Sequence, residues 1–346
     1  MRSTSFVIFL FLFASCANRG NHPDVSHIKV DLSIDRFEKD FFSIDTSNIL
    51  AGLNGLNKKY PRFYPVFTND ILLMNQDHII QNGEVGLTPA GHEIITSFIS
   101  GYKAVSDTIL DKYRDLSWLE DELEEAYRFV KYYYPDYTVP GVLTFIGTFD
   151  APGVVLTPKH LAIGLHQFAG KNFSAYSAPV IRQMYPEFIS RRFDKEFMTA
   201  ACMKAVVDDI YQVPETGKLI ELIVEKGKQW YLLNKFIPEA PDSVKTGYTK
   251  RQMEWVEANE GNIWGSILQN TPDLYTMDNE RIENYLGEAP FTQNMEASNA
   301  SPGNIGQWIG WRIVEKFAKN NEELTVQQVL AAPANRIFQE AKYKPK

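Results

Sequence analysis

The chain has 346 residues, 44% of them hydrophobic and 13% aromatic, ample material for one large apolar core. Its formal net charge is −8 and no cluster of Lys and Arg stands out, which argues against nucleic acid as a partner and against broad electrostatic adhesion to an anionic membrane. Its two cysteines, Cys16 and Cys202, leave no room for a disulfide framework.

The first segment, MRSTSFVIFLFLFASC, places Arg2 ahead of an unbroken apolar run from Phe6 to Ala14, the layout of a secretory signal. The run is about half the roughly 20 apolar residues that a membrane-spanning helix needs. Phe13-Ala14-Ser15-Cys16 has the form of a bacterial lipobox. The expectation is that residues 1–15 are removed and that Cys16 becomes the acylated first residue. Several acyl chains then hold the protein on a membrane, at about 0.8 kcal/mol per buried methylene. Residues 16–27 read as the lipidated cysteine and a short polar tether, and residues 28–346 as a single globular domain. Ala17 and Asn18 lack the aspartate that retains some lipoproteins at the inner membrane, so the outer membrane is the expected address.

Beyond the tether, Ile28, Val30, Leu32 and Ile34 alternate with Lys29, Asp31, Ser33 and Asp35, which predicts a half-buried strand. Thr88-Pro89 supplies an N-cap and a first-turn proline for a helix whose apolar face runs from Ile95 through Phe98 and Tyr102 to Ile109. Ser117 with Glu120 predicts a capping box for a helix closed by Pro135, and Thr325 with Gln328 predicts another near the C-terminus. Between the helices, VLTFIGTF and VVLTPKHLAIGL are strand-like and are separated by a turn at Asp150-Ala151-Pro152-Gly153. The fold class expected is α+β, mainly helical with a small sheet.

Signatures of catalysis are sparse. His92-Glu93-Ile94-Ile95-Thr96 has the first half of a zinc-binding HExxH but no second histidine. His160 and His166, six apart, would share a strand face roughly 20 Å apart, too far for one metal. No nucleophile elbow, phosphate loop or dinucleotide fingerprint occurs. Cys202 lies in an apolar helical stretch, as a small buried hydrophobe does. Asp208-Asp209 and Glu120 to Glu125 read as solvated helix faces, with nothing to fix the separation of an acid pair. Neither a metal nor another cofactor is expected.

Four stretches carry a resemblance: DLSIDRFEKDFF, YSAPVIRQMYPEFISRRF, GKLIELIVEKGKQWYLLNKFIP and SPGNIGQWIGWRIVEKF. In this order behind a lipobox they resemble the gliding motility-associated lipoprotein GldB family. That family in turn resembles a zincin-like group of exported peptidases with HExxH on one helix, then an EGxAxY-like helix, then a glycine-rich YxxGxxIV-like helix. The last two correspond to Glu225–Tyr231 and Gly306–Val314, whereas the zinc helix falls near Thr199–Val207, which holds no histidine. The resemblance therefore implies a peptidase-like scaffold without its metal, working in gliding or its associated secretion machinery through contacts with other envelope proteins. Arg182, Tyr185 and Glu187 are the candidates for the rim of a residual groove, and Trp311 for its wall. The alternatives are a peptide- or sugar-binding lipoprotein and a cryptic hydrolase.

Overall fold

Alternation along the strands decides the architecture. In a computed structural model, which describes residues 22–271, 273–295 and 300–345, Leu143, Phe145 and Ala162 point into one buried cluster and Val142, Leu161 and Ile163 into another. A sheet buried on both faces must be covered by helices on both sides. The signal, Cys16 and the first tether residues lie outside the described residues.

The chain enters the sheet through β1 (Ile34–Arg36), and the first covering layer begins with α1 (Phe37–Phe42), α2 (Ile49–Lys59) and a short helical turn α3 (Tyr64–Val66). A hairpin of β2 (His78–Gln81) and β3 (Glu84–Leu87) and helix α4 (Pro89–Gly101) complete it. Its core is a ring cluster in which Phe67 lies 4.7 Å from Phe37, 4.9 Å from Phe41 and 6.4 Å from Phe145, spacings at which aromatic pairs attract beyond area burial.

The chain then crosses through α5 (Lys103–Lys112) and α6 (Ser117–Tyr133) into β4 (Gly141–Phe145), β5 (Val154–Leu156) and β6 (His160–Gly164). The sheet order is β1-β4-β6-β5, with β1, β4 and β6 parallel and β5 antiparallel to β6.

The second layer, helical throughout, follows: α7 (Pro179–Met184), α8 (Glu187–Ser190), α9 (Met198–Ile210), α10 (Leu219–Phe236), α11 (Asp242–Thr246), α12 (Lys250–Ala258), α13 (Glu260–Asn270) and α14 (Asn279–Leu286). After it come α15 (Ile305–Asn320), α16 (Val326–Ala331) and α17 (Ala334–Ala341). The class is α+β and mainly helical, as the sequence predicts.

Four local expectations change. Only Ile34–Arg36 of the alternating N-terminal stretch joins the sheet. Val30 and Leu32 still pack on the core, but the amides of Leu32 and Ile34 donate to the Glu124 and Glu120 carboxylates on α6, at 3.1 and 2.8 Å, instead of to a strand. Glu120 is thereby engaged and the Ser117–Glu120 capping box does not form: the N-cap residue is Leu116, and Asp115 before it accepts from the Ser117 amide and hydroxyl. His160 and His166 do not share a strand, because β6 ends at Gly164 and His166 sits in the turn beyond it. The helix begun at Thr88 is capped as expected, its side chain accepting from the Gly91 amide, but breaks at Tyr102 and restarts. The Thr325–Gln328 capping box forms.

Candidate functional site

α10 and α15 approach so closely that a methyl group has no space between them. A Cβ on Gly227 would lie 2.1 Å from the Gly310 carbonyl carbon, and one on Gly310 would lie 1.9 Å from the Ile223 oxygen. Glycine at both positions therefore fixes the helix separation, as small residues do wherever backbones touch. Gly306 faces elsewhere, toward Tyr285 and Leu286.

Where α9 joins this pair, a polar cleft of about 190 Å³ opens. α9 lends it Lys204, Val207 and Asp208, and α10 lends Lys226, Gln229, Trp230 and Leu233, each set at the three- and four-residue spacing that puts side chains on one helix face. Asn304, Gln307, Thr246 and Glu288 close it.

Most polar groups in the cleft are committed to one another. Gln229 donates to Asp208 at 2.7 Å and to the Tyr211 carbonyl at 3.2 Å, while Lys226 donates to Gln229 at 3.3 Å. Gln307 donates to the Leu286 carbonyl, and Arg192 forks onto both Glu288 oxygens at 3.0 and 3.2 Å. Two groups stand apart. Lys204 has no hydrogen bond or ion pair to a described residue. Asn304, left-handed at φ 45° and 5% exposed, has a side-chain oxygen without a partner among the described residues.

Burial first, and then the Arg192 guanidinium, lower the Lys204 amine to about 8, against the opposing pull of Glu288 and Asp208; the residue as a whole is half-buried. Burial raises the Asp208 carboxyl, offset by Lys226 and Lys204. Two ammonium groups thus face one unpaired carboxylate, since Glu288 is held by Arg192. The cleft carries a surplus positive charge and suits a small anionic group such as a carboxylate.

Thr199–Val207, the stretch for which the zincin-like resemblance implies a zinc helix, lies on α9. Its Cys202, Met203 and Val206 are fully buried, burial pushes the Cys202 thiol up, and Thr199 donates to Glu122. Among the described residues, no group of three or more His, Cys, Asp and Glu is placed to hold a metal ion. His92 and Glu93 are exposed on α4.

Arg182 and Glu187 are exposed on α7 and α8, and Tyr185 between them accepts from Gln167 at 3.0 Å and packs edge-on against Phe193. Trp311 is elsewhere, 1% exposed on α15, edge-on to Trp230 at 6.0 Å with the Arg312 guanidinium 4.1 Å over its ring. The α7–α8 segment meets the cleft through Arg192 at its end, bonded to Glu288. Lys204, Lys226 and Asn304 escaped the sequence reading. Their signal was one lysine inside an otherwise apolar TAACMKAVV, and Lys226 one turn before Trp230.

The sequence profile of a family described as gliding motility protein GldB matches residues 18–345. No curated protein and no solved structure matches the chain. Among the described residues, no helix is long and apolar enough to cross a membrane.

Proposed function

Because the chain belongs to the gliding motility protein GldB family, which gives it a role in gliding motility, we propose that it acts as a cell-envelope lipoprotein through contacts with other motility or secretion proteins and without catalysis. The observation that carries this reading is the chemistry of the α9–α10–α15 cleft. This cleft gathers Lys204, Lys226 and Asn304, groups that grip an anionic side chain or chain terminus, and its Asp208 is engaged by Gln229 rather than paired with a nucleophile. Arg182, Tyr185 and Glu187 form a second contact surface in this proposal, with Trp311 as internal support.

Anchoring is proposed through acylated Cys16 at the outer membrane. Five residues lie between Cys16 and His22, a reach of roughly 20 Å over six steps when extended, so in this proposal the His22 side of the fold sits near the bilayer.

The test is complementation of a strain lacking the protein. The variant Lys204→Glu/Lys226→Glu should be folded by circular dichroism yet fail to restore surface spreading, whereas Lys204→Arg/Lys226→Arg should restore it. Full spreading by the charge-reversed chain would overturn the role given to the cleft. Metal content and peptidase activity after zinc loading test the other half: one tightly bound zinc per chain together with cleavage would make the protein an enzyme.

A further inference from the structure

A second cleft, of about 380 Å³, opens on another part of α9, between α6, the first turn of α9 and the loop from α10 to α11. Its floor is apolar, built from Ala126, Phe129, Ala200, Phe236, Ile237 and Val244. Its rim carries four carboxylates, Glu122, Glu125, Glu196 and Glu239, all exposed, and none of its lining residues is a cation. The charge is opposite to that of the first cleft, so the two take different ligands.

The chain itself shows how a side chain sits at this rim. His22, the first described residue, packs edge-on against Phe129, ring centroids 5.4 Å apart at 82°, and its Nε2 meets the Glu239 carboxylate. An aromatic face with a nitrogen against a carboxylate is the pairing that an incoming basic and apolar segment would repeat along the remaining rim.

We propose that this cleft docks a basic, apolar segment of a partner protein: Lys or Arg side chains meet the four carboxylates, and a bulky apolar side chain fills the floor. Charge complementarity selects that occupant. A second copy of a chain with net charge −8 is disfavoured by like-charge repulsion, and an anionic lipid surface by the acidic rim itself. Because the apolar floor is small, the partner contributes one or two large side chains there and takes its specificity from the charges around them. This inference stands independently of the ligand assigned to the α9–α10–α15 cleft.

The experiment measures binding of a synthetic peptide of Lys, Leu and Phe to the full-length chain in nonionic detergent, by fluorescence anisotropy. Two reference peptides accompany it: Lys with Gly, which lacks the apolar side chains, and Glu with Leu and Phe. The expected result is that only the first peptide binds. Glu125→Gln/Glu196→Gln/Glu239→Gln should weaken binding by about tenfold, the scale of a few exposed ion pairs. Glu280→Gln/Glu283→Gln, on exposed α14, should leave it unchanged. These replaced residues are exposed, so the variants retain the fold; circular dichroism checks this. Equal weakening by both variants, or equal binding of the Lys and Gly peptide, would show diffuse attraction to an acidic protein and overturn the site. Binding of the first peptide only after residues before Ser26 are removed would show that the N-terminal segment is the cleft's occupant, and would also overturn it.

Discussion

His166 is fully buried against Phe145, its Nδ1 accepting from the Gly147 amide and its Nε2 facing the Ala151 carbonyl, each at 3.1 Å. That pairing fixes the neutral tautomer with the proton on Nε2. Burial pulls its pKa down to about 4, against the weaker opposing pull of the Ala151 carbonyl and Asp150. In the unfolded chain the ring takes up a proton near pH 6.5, while the folded protein refuses it until about 4. Stability contributed by this residue is therefore complete above pH 6.5 and is lost as pH falls toward 4, by roughly 3 kcal/mol at one pKa unit per 1.36 kcal/mol. Urea titrations across this window should show a steeper decline for the native chain than for His166→Gln, although the variant is less stable at pH 7; parallel slopes would refute the assignment. Lys204 gives a second readout at this scale. Its amine should acetylate with a midpoint near pH 8, whereas exposed lysines follow the ordinary value near 10.4. Site-resolved mass spectrometry after pulses of an acetylating reagent measures the profile, and a Lys204 midpoint near 10.4 would remove the case for an unpaired amine in the cleft.

The pairing of α10 with α15 shows what an element-level pattern can and cannot convey. Gly310→Ala must push a methyl into the Ile223 carbonyl, a backbone atom that cannot rotate away. A cost of roughly 3 kcal/mol is expected. Gly265→Ala, inside α13 with nothing within 4 Å of its Cβ, should instead stabilise by about 0.5–1 kcal/mol, because alanine loses less entropy in a helix. Thermal midpoints moving in opposite directions are the check; a harmless Gly310→Ala would mean the helices are not locked at this distance. Gly310 and its partner Gly227 lie some eighty residues apart, and only the fold reveals which backbone atoms each glycine meets. The same limit explains the N-terminal strand. Alternation correctly placed Val30 and Leu32 against the core, but the amide partners of Leu32 and Ile34 are glutamates on α6, and side-chain capping of an extended segment leaves no periodic trace. The acids from Glu120 to Glu125 read as a solvated face for the same reason, although Glu120 and Glu124 accept from the Ile34 and Leu32 amides. Lys204 was illegible as a site residue because its meaning depends on Lys226, Asn304 and Glu288, brought to it by three other segments.

At the scale of the molecule, both cores share the sheet, together with Phe42 and Tyr102, which pack against each of them, and this determines how the protein should unfold. All six tryptophans, from Trp118 to Trp311, lie outside the ring cluster around Phe67, which is built from Phe, Tyr and aliphatic residues. Tryptophan fluorescence therefore reports on the helical layer alone. Phe67 is fully buried and touches Phe145 of β4, whose strand neighbour Val142 points into the opposite core. Truncating Phe67 to alanine should cost about 3–5 kcal/mol through lost burial and the cavity left behind. If the two layers fold as one unit through the sheet, the tryptophan-detected midpoint must fall with that cost, although every tryptophan lies outside the ring cluster. If the ring cluster were an independent unit, the tryptophan transition would stay in place and a separate transition would move instead. Single-domain behaviour is the expected outcome for a sheet without a free face: β4 and β6 cannot keep Val142 and Leu161 packed on the helices while Leu143, Phe145 and Ala162 are exposed to water, because each strand carries residues of both sets.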